Sequence, residues 1–282
     1  MAEGRSEVDT VVSEVRQETP DAVTLRLDLK GRPFRYRAGQ SVEIDPHQFP
    51  ELAERLAAAE DAKGMPESSR GFSICSDPSE QGFLEISVKE TRGGRFPPVL
   101  SPWMVRRVRV GLPIRLAGPF GEYHLPDHPP QTRSGFLHLC AGSGVSPNRG
   151  MIRYALGRGW PHRHLLVLQN RTEDDIFYRE EWLDLVRRYP DRLKVRHVFS
   201  TPTGQHVDVE LLHREMEGFL EGSSAQAMVC GPNRAREFVG SRGTRIRFPG
   251  FCELWCGNPG RNAEGMLHKL GFTPDRILTE SW

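Results

Sequence analysis

Within SSRGFSICSDPSE (residues 68–80), Arg70, Phe72 and Ser73 stand close together in what reads as a strand. An arginine there can hold a phosphate through paired N–H donors, an aromatic can lie against a flat ring, and a hydroxyl can hydrogen-bond that ring's edge. The same residues also suit an edge-strand arginine, a core phenylalanine and a turn-forming serine. The second candidate is CAGSGVSPNRGM, where Gly142 and Gly144 follow an apolar strand and Pro147 falls near the first turn of a helix, where proline is tolerated. Glycines at such a turn let the backbone approach a pyrophosphate, whose charge is met by free N–H groups at the helix N-terminus. The spacing is G-x-G-x-x-P, lacking the third glycine of the usual dinucleotide fingerprint and the acid that ends its second strand. Here that strand ends in Asn170 and Arg171, with Glu173, Asp174 and Asp175 beyond. A tight glycine turn without a ligand is the competing reading.

These residues need a scaffold, and the pattern of the chain changes once along its length. AVTLRLDL (22–29), QSVEID (40–45), GFLEISVKE (82–90) and LPIRLAG (112–118) alternate apolar with polar between Gly, Pro and Asp. That pattern fits a small antiparallel barrel. Residues 50–69, rich in Ala and Glu with Leu52 and Leu56 at helical spacing, read as an inserted helix or loop. HLPDHPPQTRS (124–134) reads as a linker. Beyond it strands alternate with helices: FLHLC, a helix over about 147–156, HLLVLQN, a helix around FYREEWLDLVRRY, LKVRHVFS, a helix near VDVELLHREM, and AQAMVCG. Such alternation argues a parallel sheet covered by helices on both faces. The expected organisation is two domains, an antiparallel β-barrel over 1–130 and an α/β domain over 131–282.

With 282 residues and a formal charge of +1, the chain has no global field that points to nucleic acid or an anionic membrane. No apolar run approaches the length of a membrane span, and the start has no apolar core of a leader, so the expected location is cytoplasmic. Cys75, Cys140, Cys230, Cys252 and Cys256 are an odd, scattered set that reads as reduced thiols. Cys252 and Cys256 lack the second ligand pair that zinc or an iron–sulfur cluster requires, so no metal is expected. His138, inside an apolar strand, reads as a core histidine. Arg106, Arg107 and Arg109 read as a solvated face, with docking of an acidic electron carrier as the alternative.

The ordered series Arg70-Gly71-Phe72-Ser73, Gly93-Gly94, Gly118-Pro119-Phe120-Gly121, the Gly142 turn, Cys230-Gly231-Pro232 and a terminal RILTESW resembles the ferredoxin-NADP reductase superfamily. The resemblance runs from about Val8 to Trp282. It implies a flavin-binding barrel followed by an NAD(P)-binding domain. It further implies that Arg70 pairs with a flavin phosphate, Phe72 packs on the isoalloxazine, Ser73 hydrogen-bonds near N5, and Val88 and Lys89 line the flavin. Gly93 and Gly94 would cradle its phosphate. Gly142, Ser143, Gly144 and Pro147 match the nicotinamide-nucleotide turn; Cys230, followed by Gly231 and Pro232, matches the cysteine beside nicotinamide C4. Glu280 matches a C-terminal acid near both rings, and Trp282 is placed to stack on the flavin or simply to pack. Ser73, Cys230 and Glu280 are thus the expected catalytic residues.

The cofactors so implied are FAD, with FMN as the alternative, and NADPH or NADH. Arg171 can meet the 2'-phosphate of NADP or pair with Glu173 or Asp174. Two departures stand against the family pattern. Pro97 replaces the usual Ser or Thr and so removes a hydroxyl from the flavin loop. Residues 233–262, rich in Gly and Arg with little periodicity, read as a disordered insertion or an odd gene model before AEGMLHKLGF, the expected final helix. The implied activity is hydride transfer from NAD(P)H to flavin and onward passage of electrons to a ferredoxin or an oxygenase component. The rival is a non-catalytic binding or electron-transfer subunit of a larger complex.

Overall fold

Strand β1 (Ser6–Thr19) is buried at Val8, Thr10 and Val12 and more open between them, the period of two of a half-buried strand. A computed structural model of the chain describes residues 6–91, 98–232, 236–239, 245–258 and 263–281. It divides into two compact units, one of Met1–Asp127 with Ser146–Tyr154, the other of His128–Val145 with Ala155–Trp282.

In the first unit, β1, β2 (Ala22–Asp28), β3 (Ser41–Ile44), β4 (Arg70–Ser73), β5 (Phe83–Lys89) and β6 (Pro113–Phe120) form an antiparallel sheet in the order β4-β3-β6-β1-β2-β5. Its edges meet where Ile74 bridges Ile86 and the Cys75 amide donates to the Glu85 carbonyl at 2.8 Å. This closure removes the open edge there and makes the sheet a barrel. Leu25, Leu27, Val42, Ile44, Ile74, Leu84, Ile86, Ile114 and Leu116 fill its core. Helix α1 (Ala53–Lys63) occupies the region read as a helix or loop and buries Leu56 against that core. Helix α2 (Leu100–Arg107) was not apparent from the sequence; it packs Trp103 on Phe49 with ring centroids 4.6 Å apart. Of the basic cluster, Arg106 pairs with Glu90, and Arg109 lies 3.8 Å from Glu51.

The second unit runs β7 (Gly135–Ala141), α3 (Val145–Gly157), β8 (Arg163–Asn170), α4 (Arg179–Arg188), β9 (Leu193–Phe199), α5 (Val209–Met216) and β10 (Gln226–Gly231), with the central segment of α3 grouping with the barrel. Then come β11 (Arg236–Val239), β12 (Arg245–Phe248), α6 (Phe251–Cys256), β13 (Gly257–Asn258), β14 (Ala263–Glu264) and β15 (Ile277–Ser281). The parallel sheet has the order β15-β10-β7-β8-β9. This sheet starts at β7, builds outward through β8 and β9, and returns to the other side of β7 with β10. The order therefore reverses between β7 and β10, and ligands of open α/β sheets bind at the carboxyl ends beside such a reversal.

Two expectations about the last third are corrected. Residues 251–256 of the presumed disordered insertion are a helix, because Cys252 and Trp255 are fully buried on one of its faces. AEGMLHKLGF is not a regular helix but β14 and a 3-10 turn over Met266–Leu270. A Cβ on Gly265 would run into the carbonyl of Trp255, so this backbone is pressed against the end of α6, and Gly271 stops the turn at φ +83°.

His138 is a core histidine, as its neighbours imply. Its Nε2 lies 3.0 Å from His164 Nδ1, and the His164 ring stacks on Phe136 with centroids 5.2 Å apart. Burial, reinforced by His138, holds the His164 pKa well below its ordinary 6.5. His164 is therefore neutral in the folded chain, whereas the unfolded chain takes up a proton as pH falls below that value. Stability is lost in that direction by up to about 1.4 kcal/mol per pH unit for one proton. Thermal melts between pH 7 and 5 are expected to fall more steeply for the wild type than for His164→Phe; parallel slopes would refute this.

Candidate functional site

The expected flavin residues lie on two strands of the barrel. Arg70, Phe72 and Ser73 are on β4, paired with Ile44, Val42 and Ser41 of β3. Phe72 is half-buried and packs on the barrel core, while Arg70 stays exposed. The Arg70 Nη2 donates to Glu67 at 2.8 Å, and Glu67, almost fully buried, also pairs with Lys63 at the end of α1. Lys63, Glu67 and Arg70 follow one another at spacings of four and three residues, so the signal for this pairing is present in the sequence. Val88 is buried on β5, and Lys89 beside it pairs with Asp21 at 2.8 Å. Ser73 and Val88 each lie within two residues of the Ile74–Ile86 bridge, which brings the two strands together. A Cβ built on Gly71 meets no atom within 4 Å, so there is open space beside this strand. An exposed guanidinium, a half-buried aromatic and that open space fit a phosphate and a planar ring. Gly93, Gly94, Pro97 and Trp282 lie outside the described residues.

Of the other predicted residues, all but Arg171, which follows β8, gather at the carboxyl ends of β7, β10 and β15. Gly142, Ser143 and Gly144 form a 3-10 turn that leads directly into α3, with Pro147 buried in that helix's first turn. Gly142 has φ +54°, in the left-handed region, and a Cβ there would meet nothing within 4 Å. The turn is thus both glycine-dependent and open on its outer side, which fits a pyrophosphate. Cys230 faces two neighbours in register, Cys140 on β7 and Glu280 on β15. Its Sγ donates to Glu280 Oε2 at 3.7 Å. Burial first, then the Glu280 carboxylate, push the Cys230 thiol well above its ordinary pKa of 9.0, so the sulfur is held as neutral S–H.

Helix α6 is fastened to the Cys230-Gly231-Pro232 turn, a connection the sequence did not suggest. The Phe251 amide donates to the Pro232 carbonyl at 2.7 Å, and a Cβ on Gly231 would come within 2.6 Å of the Phe251 ring. Cys252 Sγ donates to the carbonyls of Gly231 and Glu280 at 3.4 and 3.3 Å. Helix α6 therefore buttresses the turn.

At the end of β8, Arg171 Nη2 donates to Asp175 Oδ1 at 3.0 Å. Asp175 is itself buried and also accepts from the amide and hydroxyl of Thr172, a capping box over the short turn that follows. The T-x-x-D spacing is the signal that would have singled out Asp175 as the partner.

Residues 139–240 match the oxidoreductase NAD-binding domain family. The chain is 30% identical over 235 residues to one of the subunits of 1,2-phenylacetyl-CoA epoxidase from Escherichia coli, covering 78% of this chain and 59% of that protein. It is 29% identical over 232 residues to the ferredoxin reductase component of 3-ketosteroid-9-alpha-monooxygenase from Mycolicibacterium smegmatis, covering 81% and 59% respectively. The chain thus spans about three-fifths of the length of these relatives. Among solved structures, the ferredoxin reductase of carbazole 1,9a-dioxygenase shares the fold at a TM-score of 0.67 and 20% identity, over 100% of this chain and 70% of that one. A ferredoxin-NADP+ reductase from Plasmodium falciparum also has a TM-score of 0.67, at 16% identity, over 98% and 96%. An antiparallel barrel, a parallel sheet with its reversal beside a glycine turn, and these comparisons agree: the chain has the fold of ferredoxin reductases, is similar in sequence to reductase components of oxygenases, and carries over residues 139–240 a match to the oxidoreductase NAD-binding domain family.

Proposed function

We propose that the chain is a flavoprotein reductase that takes a hydride from NADPH or NADH and passes electrons to a separate acceptor, a ferredoxin or an oxygenase component. The observation that carries this reading is the meeting of the Gly142 turn with the Cys230–Glu280 pair at the carboxyl ends of β7, β10 and β15. The match of residues 139–240 to the oxidoreductase NAD-binding domain family supports it, as do the relatives named as components of an epoxidase and a monooxygenase. FAD, or FMN in its place, would supply the conversion of a two-electron hydride into single electrons.

The chain's own residues bind, orient and hold protons. Arg70 keeps guanidinium N–H groups beyond the one given to Glu67, and these would hold the flavin phosphate, with Gly93 and Gly94 in the same role. Phe72 would pack on the ring, Ser73 would donate to its edge, and Val88 and Lys89 would line it. Lys89, already paired with Asp21, contributes its stem more than its charge. The amides of Gly142, Ser143 and Gly144, with α3 behind them and Pro147 fixing its start, would hold the pyrophosphate of the nucleotide. Gly231 and Pro232 shape the neighbouring turn, and Cys230 presents an uncharged thiol to the nicotinamide. Glu280 accepts the hydrogen bond that aims this thiol, and Trp282 would cover the flavin.

The test is stopped-flow reduction of the flavin-loaded chain. Cys230→Ala is expected to slow reduction by about tenfold or more, the scale of one lost hydrogen-bonding or packing contact in a dry site, while leaving flavin bound. An unchanged rate would return Cys230 to a structural role.

A further inference from the structure

We propose that the nucleotide site selects NADH over NADPH, because Arg171 and Arg179, the described arginines that follow the end of β8, are already engaged by carboxylates and the local charge opposes a 2'-phosphate. This rests on the reading of the chain as an NAD(P)H-dependent reductase. In doubly wound sheets the adenine-side ribose lies at the end of the strand after the glycine turn, where an acid accepts from its hydroxyls or an arginine meets a 2'-phosphate. In this chain that strand is β8, which ends at Asn170.

The residues that follow, Arg171 to Arg179, carry two arginines against three carboxylates, Glu173, Asp174 and Asp175. Arg171 is held by Asp175 at 3.0 Å, and Arg179 donates to Glu173 at 3.0 Å. The carboxylate holding Arg171 is not a loose surface group. Asp175 is buried and fixed by both the amide and the hydroxyl of Thr172, so it stays in place whether or not Arg171 swings away. The neighbouring His197 on β9 adds no charge, since burial first, and then Arg179, lower its pKa. The loop after β9, Ser200 to Gln205, contains no cation. Asn170, also buried, carries an Oδ1 with no hydrogen-bond partner among the described residues.

A 2'-phosphate arriving here would have to draw Arg171 from a fixed carboxylate and leave its own two charges beside Glu173, Asp174 and Asp175. A ribose hydroxyl brings no charge and can donate to an acceptor that is already present. Freeing Arg171 and removing one negative charge at Asp175 act in the same direction, so one substitution tests both causes.

The experiment is isothermal titration calorimetry of the purified full chain with ADP-ribose and with 2'-phospho-ADP-ribose, which reads the adenine side without turnover. ADP-ribose is expected to bind at least about tenfold more tightly, a difference of ~1.4 kcal/mol. Asp175→Asn should move that ratio toward the phosphorylated ligand by about tenfold, and Arg171→Ala added to it should cancel the gain. Equal or tighter binding of the phosphorylated ligand by the wild type overturns this inference alone and leaves the reductase reading intact. Binding of neither ligand overturns that reading and the inference with it. A ratio unmoved in folded Asp175→Asn refutes the role of the Arg171–Asp175 pair. If that variant does not fold, the wild-type ratio still decides the preference.

Discussion

Replacing Glu85 by Ala is expected to cost about 3–5 kcal/mol of stability, the scale of stripping one partner from a buried ion pair. The Glu85 carboxylate on β5 is almost fully buried and accepts from Arg149 Nη1 at 2.7 Å and Arg26 Nη2 at 2.9 Å, with Arg16 at 3.6 Å. Arg149 lies in α3 with only 5% of its side chain exposed and also donates to the Cys75 carbonyl, so removing Glu85 takes its carboxylate from a buried charge. Burial alone would raise the Glu85 pKa, but Arg149, Arg16 and Arg26 together hold it below the ordinary 4.5. The pairing therefore contributes fully above that value and is lost as pH falls through the lower folded one, which predicts acid lability on that side. Calorimetric melts at neutral pH are the check. The double variant Glu85→Met, Arg149→Met should recover much of the loss, because an apolar pair leaves no buried charge. A single variant within about 1 kcal/mol of wild type would contradict the assignment, since losses from buried pairs lie well above that scale, at about 3 kcal/mol or more.

Arg70→Ala is expected to weaken flavin binding by roughly 10- to 100-fold, the loss of charge-assisted hydrogen bonds worth ~1.5–3 kcal/mol. The measurement is fluorescence titration of flavin-free protein with FAD and FMN, which reports affinity without turnover and names the preferred flavin. Arg70→Lys should restore part of the affinity, because an ammonium keeps the charge but not the fork. Unchanged affinity in Arg70→Ala would leave Arg70 only its ion pair with Glu67.

Much of the scaffold could be read directly from residue patterns. The alternation at 22–29, 82–90 and 112–118 gives strands within one or two residues of those observed, because every second side chain is apolar and fills the barrel core, even though β2 and β5 also bury the polar residues between them, Thr24, Glu85 and Ser87. The apolar runs of β7, β8 and β10 stand out because both faces are covered. Helix α6 was hidden because it is six residues long and its buried Cys252 and Trp255 sit among glycines and arginines that mask any period. Helix α2 was hidden by a proline in its first turn and by Trp103 and Met104 side by side, too few residues to display a helical repeat. At the site, the types and order of Arg70, the Gly142 turn, Cys230 and Glu280 were legible. The carboxylates that restrain the arginines, Glu67 and Asp175, were overlooked although their spacings, four and three residues among Lys63, Glu67 and Arg70 and T-x-x-D at Thr172, are in the sequence, since which carboxylate an arginine takes depends on turn geometry as well as on residue type.

As a reductase, this chain would carry electrons from a nicotinamide nucleotide through a bound flavin. The most direct measurement is the visible spectrum of the purified chain, supplemented with FAD, before and after anaerobic addition of NADH and then, separately, NADPH. A protein-bound flavin band is expected to bleach, at lower concentrations of NADH than of NADPH. A chain that retains no flavin, or a bound flavin that neither nucleotide bleaches, would contradict it and favour a binding subunit that keeps the fold without the hydride chemistry.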